Sequence, residues 1–134
     1  MRKPIFKPLP LNTPSLFQEN LFDLISSDSP AKLVEQVVNE LDISALERQY
    51  KGGGTSSYSP RMMLKVLFFG YLSNIYSCRK LEKALYENLP MMYLSGLSRP
   101  DFRTINHFRS KRLAPLIHEY FTQVVVLLVN LGYL

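Results

Sequence analysis

Apolar residues recur at helical spacing in several segments of the chain, whereas no segment alternates between apolar and polar residues as a half-buried β-strand does. Two of these segments follow a serine–proline pair, Ser29-Pro30 and Ser59-Pro60. Serine as the N-cap with proline at the first helical position is a typical helix start. The pattern therefore predicts an all-α fold.

Further helices are indicated after the second of these pairs. From Met62 to Tyr76 apolar residues occur on nearly every face, which is typical of a buried central helix. Ser77 and Asp101 are suited to cap two helices that follow. Ala114-Pro115 restarts the chain into a final helix, which Gly132 ends.

The amino-terminal part has a different character. Residues 1–15 contain four of the nine prolines and no helical period, which predicts an extended arm. The run from Lys51 to Ser57 contains three successive glycines and predicts a flexible linker. We therefore expect two parts: residues 1–57, an arm and helical segment with a glycine-rich linker, and residues 58–134, a helical domain.

Composition excludes several classes of site. One cysteine and two histidines among 134 residues argue against a disulfide framework and against a cysteine- or histidine-rich metal centre. The longest unbroken apolar run, Val124 to Val129, is far shorter than the roughly 20 residues that span a bilayer. We therefore expect a cytoplasmic protein with no metal site, no cofactor, no small-molecule substrate and no membrane partner.

The charge is distributed unevenly. The formal net charge is +5. Residues 1–59 hold six basic and seven acidic side chains, whereas residues 60–134 hold ten basic and only four acidic ones. A basic excess confined to one part of a chain indicates a polyanionic partner, although a basic face that only maintains solubility would give the same count.

The segment from Ser77 to Leu113 has the order of a helix-turn-helix unit, with a helix, a short helix, a glycine-containing turn and a basic helix. A helical wheel places the apolar residues of the basic helix on one side, which we expect to be buried: Phe102, Ile105, Phe108 and Leu113. The opposite side and its flanks carry the residues that we expect to contact bases or phosphates of double-stranded DNA: Arg103, Thr104, Asn106, His107, Ser110 and Lys111.

Two further groups of basic residues adjoin this helix. Arg109 and Arg112 project toward its apolar side, so we expect at least one of them to be structural and to pair with a carboxylate: Glu82, Glu87 or Glu119. At an earlier helix start, a capping serine and two cations form a second candidate phosphate site: Ser77, Arg79 and Lys80.

No catalytic residue is predicted. The eleven acidic residues are scattered, and no spacing requires them to converge on a cation. Gly52-Gly53-Gly54 is not followed by the lysine and hydroxyl residue of a phosphate-binding loop. Cys78 has basic neighbours but no histidine close by in sequence, so a catalytic thiol is disfavoured.

Four motifs follow one another in the second part of the chain: Tyr58 to Leu67, Gly70-Tyr71-Leu72, Ser77 to Glu82, and Leu94-Ser95-Gly96 with Arg99 to Ile105 and Phe108-Arg109. Their order and spacing resemble the N-terminal domain of bacterial insertion-sequence transposases of the DDE class. Phe6-Lys7-Pro8 and the segment from Leu33 to Leu46 are similar more loosely. Phe102 departs from the pattern, because the family often has a small or charged residue there.

The resemblance implies a function that composition alone does not. In that family this region precedes an RNase H-like domain whose acidic triad binds two divalent metals. We therefore expect this chain to lack the catalytic domain and its metals, and to act in DNA transposition by recognising the terminal inverted repeats of the element. The alternative is a helical protein–protein interaction module that forms a homodimer through its apolar final helix, without direct DNA readout.

Overall fold

The structure is a computed structural model, which describes Pro4, Phe6, Lys7 and residues 22–50 and 57–133. Seven α-helices lie in these ranges: α1 (Pro30–Glu40), α2 (Ser44–Glu47), α3 (Pro60–Leu72), α4 (Cys78–Glu87), α5 (Leu89–Leu94), α6 (Phe102–His107) and α7 (Ile117–Asn130). A π-helical segment, Phe108–Leu113, and one 3-10 turn, Ala114–Leu116, join α6 to α7. The described residues include an isolated bridge between Phe6 and Ser57 but no strand, so the all-α prediction is confirmed.

Local sequence determines where the helices begin. The Ser29 hydroxyl accepts a hydrogen bond from the backbone N–H of Ala31 at 3.2 Å, and Ser59 accepts one from Met62 at 3.3 Å. Each serine thus satisfies one of the N–H groups that lack a partner inside the helix. Both predicted helix starts are therefore confirmed.

The core is built around α3, which packs against α1, α4 and α5. Its buried side chains include Met62, Leu64 and Val66, each at most 2% exposed. The predicted central helix is therefore confirmed. Val38 and Leu46, from the amino-terminal part, belong to the same hydrophobic cluster.

Helix α3 ends at Leu72 and not at Tyr76. Asn74 adopts a left-handed conformation with φ 61°, and the N–H of Ile75 returns to the carbonyl of Gly70 at 2.7 Å. This is the pattern of a Schellman C-cap. A Cβ on Gly70 would come within 2.7 Å of the Leu81 side chain and 2.8 Å of the Ile75 carbonyl, so only glycine permits this close approach of α3 and α4.

Two predicted features lie mostly outside the described residues. They are the extended arm, of which Pro4, Phe6 and Lys7 are described, and the glycine-rich linker, of which Ser57 is described. The division of the chain after residue 57 stays a prediction.

Helix α7 differs from the other helices because it is largely exposed. Ile117, Phe121, Val126 and Val129 each expose about half of their surface or more. Among the described helices, one continuous run, Phe102–Asn130, is long and apolar enough to cross a membrane by length and composition alone. Its most apolar window has a mean hydropathy of 1.3, and 11% of that window is buried. The sequence analysis considered only unbroken apolar runs, so it did not identify Phe102–Asn130 as a candidate membrane span.

Candidate nucleic-acid interface

The amino terminus of α6 is fixed by two carboxylates. Asp101 Oδ1 accepts a hydrogen bond from the N–H of Thr104 at 2.8 Å, as a capping residue does. Glu82 Oε1, from α4, accepts one from the N–H of Phe102 at 2.6 Å. The predicted cap is therefore confirmed, and Glu82 also ties α6 to α4.

The buried side of this helix is continuous from α6 into the π-helical segment. Ile105, Phe108 and Leu113 are each at most 3% exposed. Phe108 and Leu113 are five residues apart, and a π-helix, whose hydrogen bonds join residues five apart, brings such a pair toward one face. Phe102 was expected to be buried with them but is only half-buried.

Phe102 remains near the surface because its ring lies against cations. The Arg79 guanidinium lies 4.0 Å from the ring centroid, and that of Arg103 lies 5.5 Å from it. These distances are within the range of cation–π contacts, which hold the two side chains without neutralising their charge. The sequence analysis did not foresee this role for Phe102.

The predicted DNA-contacting residues all have exposed side chains: Ser77, Arg79, Lys80, Arg103, Thr104, Asn106, His107, Ser110 and Lys111. Seven of them line one surface depression of about 450 Å³, which we call the cationic cleft: Ser77, Arg79, Arg103, Asn106, His107, Ser110 and Lys111. Cys78, Phe102 and Arg109 also line it, and among the residues that the structure describes the lining contains four cationic side chains and no carboxylate. The fold therefore brings the α4 start together with the exposed side of α6.

Two predicted residues lie outside the cationic cleft. Thr104 lines a neighbouring cleft together with Lys7, Tyr58 and His107. Lys80 lines a depression with Lys83 and Glu87, on another part of α4. Of the two cations predicted at the start of α4, only Arg79 thus faces the cationic cleft.

Arg109 and Arg112 are both half-buried and are held by backbone carbonyls. Arg109 Nη1 donates to the Tyr76 carbonyl at 2.6 Å, and Arg112 Nη1 donates to the Gln49 carbonyl at 3.2 Å. The expected pairing with a glutamate is therefore wrong, because both guanidinium groups bind backbone carbonyl oxygens instead. A guanidinium bonded to a neutral carbonyl keeps its full charge, so Arg109 contributes to the field of the cationic cleft.

Hydrogen bonds also modify the chemistry of two polar groups. The Ser110 hydroxyl donates to the Asn106 carbonyl at 2.7 Å, which leaves its oxygen as an acceptor. The hydrogen bond from the Thr104 backbone lowers the pKa of the Asp101 carboxyl, so this exposed acid is ionised across the neutral range. Its negative charge stabilises the start of α6.

The acidic residues form no visible catalytic centre in the part of the chain that the structure describes. No group of three or more histidine, cysteine, aspartate or glutamate side chains is placed there to hold a metal ion. The Cys78 thiol is buried at the edge of the cationic cleft.

Comparison with known proteins identifies a family for this chain. No curated protein and no solved structure matches the chain. A family model described as a transposase domain, DUF772, matches residues 19–111, which include α1 to α6 and every lining residue named for the cationic cleft. The resemblance to transposases seen in the sequence is thereby confirmed, and the chain belongs to the transposase domain family DUF772.

Proposed function

We propose that the protein is the DNA-binding part of a DDE transposase and binds double-stranded DNA through the cationic cleft. One observation carries the proposal: of the side chains in the described part of the protein, four cationic ones line the cleft and no carboxylate does. Membership of a transposase domain family supports a role in transposition, in which DNA is the substrate. The sites bound in the cell are then the terminal inverted repeats of an insertion sequence, and the binding takes place in the cytoplasm.

The cleft residues suit two kinds of contact. Arg103 and Asn106 are exposed. In the major groove, Arg103 can donate two hydrogen bonds to a guanine edge, and Asn106 can donate one to an adenine edge and accept one from it. Arg79, with Ser77 and the first backbone amides of α4, suits a phosphate. We propose that α6 enters the major groove as the recognition helix of a helix-turn-helix unit while α4 holds the backbone.

Salt dependence tests this proposal. We expect the affinity for a 30-base-pair duplex of mixed sequence, measured by fluorescence anisotropy, to fall with salt along a log–log slope of roughly −5, as release of counterions from about six phosphates requires. A slope near zero would contradict DNA binding by this surface. Competition with the ends of a related element would then measure sequence preference.

The exposed face of α7 favours a second candidate function, association with a second copy of the chain. Ile117, Phe121, Val125 and Leu128 follow one another at spacings of four, four and three, which places them along one apolar seam of the helix. All four are exposed or partly exposed, and no charged residue follows Glu119. A face without charge offers nothing for a charged partner to pair with, whereas a copy of the same seam is complementary to it.

Sedimentation equilibrium tests this second candidate. We expect an average mass that rises from one toward two chains as concentration increases. A single-chain mass at every concentration would exclude self-association through α7 and leave DNA binding untouched.

A further inference from the structure

A second cleft lies on the other side of His107 from the cationic cleft. It has a volume of about 250 Å³, and we call it the arm cleft. Its walls come from three separate parts of the chain: Lys7 of the amino-terminal arm, Tyr50 with Ser57, Tyr58 and Met63, and Thr104, His107, Phe108 and Arg112 of the basic helix. His107 lines both clefts, so the two are adjacent on one surface.

Phe6 and Lys7 are held in place by backbone and aromatic contacts. The backbone N–H of Lys7 donates to the Ser57 carbonyl at 2.7 Å, and Phe6 forms a parallel bridge with Ser57. The Phe6 ring lies edge-on to the Tyr50 ring, with centroids 5.4 Å apart. These contacts place Lys7 beside the basic helix even though 97 residues separate it from Thr104 in the sequence.

Two cations of the arm cleft lie against tyrosine rings. Lys7 Nζ is 4.2 Å from the centroid of Tyr58, and the Arg112 guanidinium is 3.9 Å from that of Tyr50. Within residues 22–50 and 57–133, no carboxylate lines this cleft either. The rings orient the cations while leaving their charge uncompensated, and hydroxyls of Ser57 and Thr104 provide neutral donors beside them.

We infer that the arm cleft binds a backbone phosphate of the same DNA duplex, so that the interface extends from the cationic cleft across His107 to the arm. The inference rests on the proposed function. Cations and hydroxyls without carboxylates are the groups that bind phosphate oxygens. A cation covers one face of each tyrosine ring, which disfavours a stacked base there. Lys7 thus adds a phosphate contact that the helix-turn-helix segment does not provide.

The substitution Lys7→Ala tests this role in the full chain. Lys7 is exposed, and its backbone hydrogen bond does not depend on its side chain. With the 30-base-pair duplex, we expect the log–log salt slope to become less steep by about 0.9, which corresponds to about eightfold weaker binding at 0.1 M salt relative to 1 M. The matched control, Lys83→Ala, removes an exposed lysine outside both clefts and should leave the slope unchanged.

The outcomes separate this inference from the proposed function. If Arg103→Ala reduces the slope but Lys7→Ala does not, the arm cleft is not part of the interface, although DNA binding stands. If the unsubstituted chain itself shows no slope, the proposed function fails. If Lys7→Ala weakens binding only to a single-stranded probe of the same length, the inference is overturned, and the arm cleft binds an unpaired base instead of a duplex phosphate.

Discussion

The basic helix and α7 are consecutive parts of one continuous helical run, yet they expose opposite kinds of surface. The basic helix, residues 102–113, turns Arg103, His107 and Lys111 outward and buries Ile105 and Phe108. Helix α7 buries Tyr120 fully but leaves Phe121, the next residue, 67% exposed. A few buried aromatic or aliphatic residues therefore anchor each part, and the other side chains of each part are exposed or partly exposed.

The difference shows that the chemistry of an exposed face, and not exposure itself, indicates the partner. Uncompensated cations attract a polyanion over a distance of about a Debye length. An apolar face without charge gains free energy only by being covered. The following predictions would separate the two surfaces or show that they act together.

The largest expected effect comes from reversing two charges of the cationic cleft. Arg103→Glu with Lys111→Glu should weaken binding to duplex DNA by at least about 60-fold at 0.1 M salt relative to 1 M, because two cationic contacts to the DNA are lost and two repulsive charges are added. Fluorescence anisotropy measures this change. The control is Arg48→Glu with Lys83→Glu, which makes the same charge change at exposed positions outside both clefts. Equal losses in the two variants would mean that only net charge matters.

A change in α7 should weaken self-association and leave DNA binding unchanged. Val125→Glu places a carboxylate in the apolar seam, and burying it unpaired in a dimer should raise the dissociation constant of self-association at least about tenfold, that is by about 1.4 kcal/mol. Sedimentation equilibrium measures this constant, and Asn130→Glu, at an exposed position off the seam, is the control. DNA affinity that falls in parallel with self-association would show that the two surfaces are coupled.

The anchor of α7 can be weakened without altering either surface. The Tyr120 hydroxyl accepts a hydrogen bond from the buried N–H of Leu46 at 3.2 Å. Tyr120→Phe leaves that N–H without its acceptor, so we expect the free energy of unfolding to fall by about 1–3 kcal/mol in urea titrations. The exposed residue Tyr133 provides the control, since Tyr133→Phe should leave the unfolding midpoint unchanged. A stable Tyr120→Phe variant would show that the hydroxyl is dispensable.

The smallest expected effect is a pH dependence at the start of the basic helix. The pKa of Asp101 is lowered in the folded state by the hydrogen bonds from Thr104, so its contribution to stability is present above the pKa of the unfolded chain, about 3.9, and is lost as pH falls through the lower folded value. Thermal melts below pH 5 should therefore show a shallower pH dependence for Asp101→Asn than for the unsubstituted chain. Identical pH profiles would exclude a contribution from this cap.

The helix starts could be predicted because capping is local. Ser29, Ser59, Ser77 and Asp101 each bond an N–H two or three residues away, so the signal lies within a few residues of sequence. The exposure of the cationic residues followed from the helical wheel in the same way. The π-helical segment could not be predicted, because a wheel at 100° per residue assumes an α-helix throughout.

The arrangement of the clefts depended on contacts between distant parts of the chain. Arg79 and Arg103 meet at Phe102 because α4 packs against α6, and the sequence placed them only in separate basic groups. Lys7 and Tyr50 were not identified as site residues, since each is more than 50 residues from α6. At least one of Arg109 and Arg112 was expected to be structural, and nothing in the sequence indicated that the anchored guanidinium of Arg109 also lines the cationic cleft.

Gln123 has a consequence for the ageing of the protein. Its Oε1 accepts from the N–H of Asp42 at 2.9 Å and its Nε2 donates to the Asp42 carbonyl at 3.1 Å, as a neighbouring strand residue would. Only a carboxamide offers both a donor and an acceptor in this geometry. Spontaneous deamidation to glutamate would therefore place a carboxylate oxygen against the Asp42 carbonyl oxygen. The segment that connects α1 and α2 would then lose a hydrogen bond to α7. Replacement of a single heavy atom would thus loosen the helical bundle in stored samples.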